Sequence, residues 1–144
     1  WAEGPRRLGA DKKGSFIWVC NWWGGSLAKI DTHTLKVTLV PLPNPDTQQP
    51  YQAAVDKDHN VWINLMNADE VIKFDPKNSK WTEYPFPTHG AEARYISLLE
   101  RNGSMQVVIP YARARRVARM TFRTKEDLQE LEQQVHQQEQ AQAK

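Results

Sequence analysis

Residues 88–94 bring together side chains that can carry protons and bind charged groups. His89 is the best candidate for a general base, because an imidazole titrates near neutral pH. Glu92 is a second candidate catalytic group, and Arg94 can bind a carboxylate or phosphate through two parallel hydrogen bonds. The alternative is a structural ion pair, since the same Glu-then-Arg order occurs in residues 3–7.

Aromatic residues next to glycines mark a second candidate site. Trp22 and Trp23 follow Asn21 and precede two glycines, which places two large rings on a loop. Loop aromatics can stack on a ligand or hold a protein partner, and packing inside the fold is the alternative. The remaining candidate binding residues are cationic or aromatic: Arg7, Tyr51, Tyr95, Tyr111 and Arg113.

Other reactive residue types lack the spacing that chemistry requires. No two histidines stand at metal-ligand spacing such as i and i+4, so the sequence defines no metal site. Cys20 is the single cysteine, which excludes an internal disulfide within these residues, and a buried apolar role is expected for it. Arginines in residues 111–119 alternate with alanine and valine, without interleaved aromatic rings. This pattern predicts a solvated strand face, ion pairs or an anionic partner rather than nucleic acid.

The composition fits one folded domain without a membrane span. The 144 residues include 19 basic and 17 acidic side chains, and 40% are apolar, which is enough for a core. No run of about 18 apolar residues is present. The sequence begins at Trp1 without a signal-peptide pattern, so we expect processing or truncation to have removed the true start.

An internal repeat with a period of 44 residues organises the chain. The recurring pairs are Trp18 and Trp62, Ile30-Asp31 and Phe74-Asp75, Pro41-Leu42-Pro43 and Pro85-Phe86-Pro87, and Tyr51 and Tyr95. Each repeat contains four short strand patterns separated by polar turns, and the two repeated tryptophans are predicted core residues. A repeat of about 40–45 residues with four strands is typical of a β-propeller blade.

The predicted fold is therefore all-β, a partial propeller over residues 1–123 built from blades of four antiparallel strands. The blades span about residues 6–49, 50–93 and 94–122, and the third has no fourth strand pattern. Three blades cannot close a ring, because propellers have about 4–8. The expected partners are therefore the remaining blades of a longer propeller, further copies of the chain, or other protein subunits.

A polar helix is predicted for the tail, residues 124–144. Thr124 is a suitable N-cap, and the acidic Glu126 and Asp127 favour the first helical turn. Three apolar side chains at helical spacing form only a narrow stripe in a glutamine-rich sequence. The alternatives are a solvated helix and a helix that contacts a partner or the rest of the ring.

The second blade carries linked motifs that are typical of one propeller family. They are Pro50-Tyr51, Val55-Asp56, Val61-Trp62, residues 71–76 and residues 81–88. Together they resemble the repeat of the virginiamycin B lyase (streptogramin B lyase) family, over about residues 5–122. The resemblance implies a propeller, a magnesium ion, a histidine base, and linearisation of a cyclic depsipeptide by elimination across an ester bond. It also implies a periplasmic or secreted location.

Other residue types fill the positions that match the family's catalytic motifs. Where the family tends to place histidine at a blade start, this chain has Tyr51-Gln52 and Tyr95-Ile96. Where the family often has glutamate after the second strand, this chain has Asn21 and Leu65. We therefore predict an extracytoplasmic propeller module that binds a partner, or a small anionic or cyclic peptide ligand, without a complete catalytic site of its own.

Two enzymatic alternatives stay open. The first is the magnesium-dependent lyase, with His89 or residues outside this chain as the base. The second is a lactonase-like hydrolase with a metal at the ring centre, to which Asn21, Asn64 and Glu92 would contribute. Apart from the magnesium that the resemblance implies, no cofactor is evident.

Overall fold

The computed structural model describes residues 3–101 and 104–142, with helix side chains as far as Val135. Trp1, where the sequence begins, lies outside them. Within the described residues, eleven strands form three antiparallel sheets and one helix follows. This arrangement confirms the predicted all-β fold of propeller blades with a C-terminal helix.

Each sheet is one blade, and its strands are paired in chain order. Blade 1 consists of β1 (Pro5–Ala10), β2 (Phe16–Asn21), β3 (Ser26–Asp31) and β4 (Val37–Pro41). Blade 2 consists of β5 (Pro50–Val55), β6 (Val61–Leu65), β7 (Glu70–Asp75) and β8 (Lys80–Pro85). Blade 3 has three strands in the described residues, β9 (Ser97–Arg101), β10 (Ser104–Tyr111) and β11 (Arg116–Thr121).

The first strands of the blades are the inner strands of the partial ring. β1 lies beside β5, and β5 lies beside β9. The approach of β1 to β5 requires a glycine, because a Cβ atom on Gly9 would lie 2.6 Å from the Ala53 carbonyl oxygen. The inner strands therefore fix the spacing of the turns and connectors at the ends of the blades.

Aspartate side chains explain why the same turns recur in successive blades. Asp31 accepts the backbone N–H of His33, and Asp75 accepts that of Lys77, so each closes an Asx turn. The backbone N–H of Thr34 also donates to Asp31 and contributes most to lowering the pKa of that carboxyl group. The Lys77 N–H has the same effect on Asp75, so the pKa of each carboxyl group lies below its ordinary value. The aspartate repeat of the sequence is thus a repeat of hairpin turns.

Two apolar cores fill the spaces between adjacent blades. Trp18 of blade 1 meets Phe74 of blade 2 with ring centroids 5.7 Å apart. Trp62 belongs to the core between blades 2 and 3, and its Nε1 donates a 2.8 Å hydrogen bond to Asp56. Both tryptophans are buried, as predicted. Cys20 is also buried, and its burial raises the pKa of the thiol.

Asp11, the blade 1 counterpart of Asp56, makes a contact across the blade boundary. His59 Nδ1 of blade 2 lies 2.7 Å from Asp11 Oδ2. Burial of the Asp11 carboxyl group raises its pKa, but the hydrogen bonds from His59 and from the backbone N–H of Lys13 outweigh this effect. The pKa of Asp11 is therefore lowered. The contact links the β1–β2 turn to the β5–β6 turn.

The Asp11–His59 contact should stabilise the fold at neutral pH and lose its effect in acid. Because the folded-state pKa of Asp11 is below the ordinary value of 3.8, the stabilisation is complete above that value. It disappears as the pH falls through the folded-state pKa. Asp11→Asn keeps an acceptor for the Lys13 N–H but removes the titrating carboxyl group. The free energy of unfolding, measured with urea from about pH 3 to pH 6, should therefore fall less in acid than it does for the unsubstituted chain. Asp46→Asn, an exposed change in the β4–β5 connector, is the control, and an equally reduced fall there would contradict the assignment.

The tail forms α1 (Lys125–Gln142), and its start is capped as predicted. Thr124 Oγ1 accepts the backbone N–H of Asp127 at 3.2 Å, and Asp127 Oδ2 accepts the backbone N–H of Thr124 at 2.7 Å. This reciprocal pair satisfies two N–H groups at the helix start. Among the described residues, no helix combines the length and apolar character needed to cross a membrane.

Candidate ligand-binding face

All predicted site residues lie at one end of the blades, which we call the connector face. In an antiparallel blade, the start of the first strand, the turn between the second and third strands, and the connector to the next blade share one end. This end holds the starts of β1 and β5, the β2–β3 turn, the end of β10 and the β8–β9 connector. The structure groups the candidate residues there into two clusters.

The arginine–aromatic cluster consists of Arg6, Arg7, Trp22, Trp23 and Tyr51. The Arg6 guanidinium lies 5.1 Å from the centre of the Trp22 ring, and that of Arg7 lies 5.3 Å from the Tyr51 ring. Trp22 contacts Tyr51 and Trp23 edge-on, with centroids 5.6 Å and 6.1 Å apart. These contacts join the first strands of blades 1 and 2 through cation–π and aromatic pairs.

A β-bulge places the two arginines next to the rings. Pro5 pairs with Asn21 and Leu8 with Val19, so Arg6 and Arg7 together oppose the single residue between those partners. β5 has an equivalent irregularity at Tyr51, between Pro50 and Gln52. Bulges change the direction of side chains and occur often beside functional sites. The bulge explains how consecutive residues of one strand both reach the aromatic side chains.

The charges of this cluster are not neutralised by acidic neighbours. In the part of the chain that the structure describes, neither Arg6 nor Arg7 has a carboxylate within ion-pair distance. The one side-chain hydrogen bond of Arg7 is long, at 3.5 Å to Gln52 Oε1. The Trp23 side chain is 64% exposed, whereas Trp22 is buried. The cluster therefore offers guanidinium donors and an exposed indole at the same place.

Asn21 supports the β2–β3 turn from inside. It is buried, and its Nδ2 donates to Ser26 Oγ at 3.1 Å, which in turn donates to Glu3 Oε2 at 3.0 Å. A Cβ on Gly4 would collide with the Trp23 indole, so the glycine lets the ring lie against the chain start. The Asn21 amide thus holds the loop that presents the tryptophans.

The second group, the connector cluster, consists of Asp69, His89, Glu92, Arg94 and Arg113. The Asp69 carboxylate accepts the backbone N–H of Gly90 at 2.6 Å and of Ala91 at 2.7 Å. Its backbone carbonyl accepts the N–H of Phe86 at 2.8 Å. Asp69 therefore ties the β8–β9 connector to the β6–β7 turn, and it positions the residues that follow.

His89 and Glu92 have different partners in this cluster. The His89 side chain is 96% exposed, and its Nδ1 lies 3.9 Å from Asp69 Oδ2. Glu92 pairs with Arg94, and its Oε2 lies 3.9 Å from Arg113 Nε. Glu92 also has a φ of 51°, a backbone conformation that side chains other than glycine rarely adopt. The carboxylate is thus held by two arginines.

The two remaining candidate tyrosines differ in exposure. Tyr111 is buried against Phe86, with ring centroids 4.9 Å apart. Burial raises the pKa of its phenol, and the nearby negative charge of Asp69 raises it further. Tyr95 is 46% exposed, at the approach to β9. Tyr95 is therefore accessible at the connector face, whereas Tyr111 packs beneath it.

The described side chains form no cluster of acidic and histidine ligands for a metal ion. Within residues 3–101 and 104–135, no three His, Cys, Asp or Glu side chains come together as a potential metal site. The Glu92 carboxylate, the acid nearest the predicted base in the sequence, is paired with arginine. Magnesium prefers several oxygen ligands at near-octahedral geometry, and the described residues supply no such preformed set.

Two residues of these clusters could not be singled out from the sequence. Asp69 acts on a connector about twenty residues further along the chain, and no local motif marks that partnership. Arg6 reaches Trp22 only because β1 is bulged. The repeated Glu-then-Arg order at residues 3–7 was the one available sign that this strand start carries charge.

Comparisons with known proteins identify the fold. No family model matches the chain, and no curated protein is significantly similar in sequence. A streptogramin B lyase structure aligns with a TM-score of 0.64 and 17% identity, over 87% of this chain and 43% of that one. Virginiamycin B lyase from Staphylococcus aureus aligns with a TM-score of 0.63 and 19% identity, again over 87% and 43%. A chain of a nidogen–laminin complex aligns with a TM-score of 0.65 and 14% identity, over 83% and 48%.

These similarities confirm the predicted resemblance at the level of the fold. The chain spans less than half the length of the structures it matches. Proteins as different as a lyase and a nidogen–laminin complex share its blades, so the fold does not by itself indicate an activity.

Proposed function

We propose that this chain is a propeller module that binds a ligand or partner at the connector face. The ligand would carry a carboxylate or phosphate beside a planar or apolar ring. The observation that carries this proposal is the arginine–aromatic cluster. Its two guanidinium groups have no acidic partner among the described residues and lie beside an exposed indole. The fuller form of the proposal is an extracytoplasmic subunit of a larger propeller assembly.

The chemistry of the cluster supports an anionic ligand. A guanidinium group binds a carboxylate or phosphate through two parallel hydrogen bonds, and its orientation is fixed in advance when it rests on a ring. Arg6 and Arg7 are both restrained in this way, on Trp22 and Tyr51. Trp23, which is 64% exposed, supplies a surface for the apolar part of the ligand.

The connector cluster supports binding over catalysis. A general base needs to reach the proton it removes, with a second group to orient it. The exposed His89 makes no hydrogen bond to a carboxylate of the described residues, and Glu92 is held by Arg94. The base and the acid predicted for a lyase are therefore not brought together by the described residues.

The proposal predicts a carboxylate-dependent affinity that both arginines share. Binding of N-acetylphenylalanine and of its uncharged amide would be compared by titration, with tryptophan fluorescence and calorimetry as readouts. We expect the carboxylate to bind more tightly than the amide. Arg6→Ala and Arg7→Ala should each raise the Kd for the carboxylate by about tenfold, because each removes a charge-assisted hydrogen bond.

The matched control is Arg116→Ala, which removes an exposed arginine at the start of β11. Equal affinity for the carboxylate and the amide, or equal losses in all three variants, would refute a site at the arginine–aromatic cluster. Incubation with a streptogramin B depsipeptide and magnesium tests the enzymatic alternatives. Elimination would open the ring at unchanged mass, whereas hydrolysis would add one water, and either product would refute a binding-only module.

A further inference from the structure

On the face of blade 1 that points away from blade 2, apolar side chains cross the sheet, and the polar Asn21 and Ser26 lie only at its connector-face end. Strand pairing places its side chains in two rows that cross all four strands. The first row is Leu8, Val19, Ala28 and Leu39, and the second is Ala10, Ile17, Ile30 and Val37. We call these eight residues the open face of blade 1.

Residues 3–101 and 104–135 leave the open face uncovered. Leu8 and Val37 are each 56% exposed and Leu39 is 51% exposed, which is unusual for aliphatic side chains on a sheet. None of the eight residues belongs to either apolar core. A contiguous apolar surface of this kind marks an interaction site in a folded protein.

The repeat shows what such a face is built to contact. The corresponding rows of blade 2 are Ala53, Ile63, Ile72 and Glu83, and Val55, Val61, Phe74 and Trp81. These residues stand 44 or 45 positions after their counterparts in blade 1. In blade 2 this face forms the core shared with blade 1, where it receives Trp18, Cys20 and Leu27. The open face of blade 1 is therefore the same surface without its neighbour.

The far side of blade 3 does not complement it. Its cross-strand rows are Ser97, Val108 and Arg119, and Leu99, Gln106 and Thr121. On this side Gln106 stands where blades 1 and 2 have Trp18 and Trp62. Arg119 stands where they have Leu27 and Val71. Stacking copies of this chain head to tail would bury Arg119 against aliphatic rows without a carboxylate, which is strongly unfavourable.

We propose that the open face of blade 1 is a blade–blade interface, and that its occupant is a preceding four-stranded blade of the same repeat type. That blade would present a tryptophan-centred apolar face like the one that blade 1 presents to blade 2. The proposal is independent of the ligand at the connector face. It rests on continuity with the interface between blades 1 and 2, in which the same rows are already covered.

An extended chain tests the proposal directly. A second copy of residues 5–49 joined ahead of Pro5 would place its own Trp18 face on the open face, through a junction equivalent to Gln49–Pro50. The extended chain should unfold in one transition, at a midpoint higher by about 5 °C or more. An unchanged midpoint, or separate unfolding of the added copy, would overturn the proposal.

A charge on the open face provides the second measurement. Val19→Lys should change the midpoint of the natural chain little, but lower that of the extended chain, because the lysine becomes buried there. Val108→Lys, on the far side of blade 3, is the matched control. It should change the unfolding midpoints of the natural and the extended chain by the same amount. In the natural chain, Val19→Lys should also reduce binding of a dye specific for apolar surface, whereas unchanged dye binding would count against an accessible face. A natural-chain dimer that Val19→Lys dissociates would overturn the proposal in favour of a second copy as the occupant.

Discussion

Trp62→Ala should lower the free energy of unfolding by about 3–5 kcal/mol, the range found when large buried aromatic side chains are removed. Trp62 is 1% exposed and stacks on Tyr84 at 5.6 Å. Its ring centroid also lies 5.5 Å from that of Phe122, which directly follows β11, so Trp62 joins blade 2 to blade 3. The substitution leaves a cavity between two blades and removes the hydrogen bond to Asp56. Urea unfolding followed by circular dichroism measures the loss.

Trp23→Ala is the matched control, because it deletes the same side chain from a 64% exposed position. Its effect on unfolding should stay within about 0.5 kcal/mol. Trp62→Phe separates the contribution of packing from that of the hydrogen bond, since phenylalanine retains most of the packing but cannot donate to Asp56. A similar loss for Trp62→Ala and Trp23→Ala would show that the core between blades 2 and 3 does not depend on the buried indole.

Asp69→Ala should cost about 2–4 kcal/mol, because two backbone N–H groups lose a charged acceptor. The carboxylate oxygens accept the backbone N–H of Gly90 at 2.6 Å and that of Ala91 at 2.7 Å. Asp69 also has a φ of 50°, which alanine tolerates poorly. Besides the lower free energy of unfolding, amide hydrogen exchange of the β8–β9 connector should become faster, since the connector loses its attachment to the β6–β7 turn.

Asp69→Asn and His89→Ala separate the sources of that loss. Asparagine tolerates the left-handed backbone, but its carbonyl replaces only one of the two acceptor oxygens, so an intermediate loss is expected. His89 has a 96% exposed side chain, and its replacement by alanine should leave both stability and exchange unchanged. Faster exchange in His89→Ala would instead show that the imidazole helps to hold the connector.

Most of the fold follows from local patterns that repeat. Strand alternation, the aspartates that begin the turns, and the tryptophans at positions 18 and 62 recur at a fixed offset, so each blade can be recognised from its own sequence. Thr124 likewise predicts the helix start, because capping depends on residues three apart. These features need no knowledge of distant contacts.

The candidate site was only partly predictable, for a physical reason. Trp22, Trp23, Arg7 and Tyr51 are recognisable by residue type, but their convergence depends on two bulges and on the contact between two inner strands. A bulge depends on which residues pair across strands, and this is not written in either strand alone. The same holds for His89, whose isolation in solvent follows from the path of the connector that Asp69 fixes.

The blades, their turns and the three-strand pattern of the third blade in the described residues follow from the amino-acid order alone. They depend on short-range periodicity and on side chains that bond to their own turns. Which charges are neutralised and which faces stay open depends instead on how the blades pack. Their packing pairs Glu92 with Arg94, leaves Arg6 and Arg7 on aromatic rings, and exposes one apolar and one polar side of the partial ring. Burial and charge pairing are properties of neighbours in space, and residues that are distant along the chain become neighbours only when the blades pack.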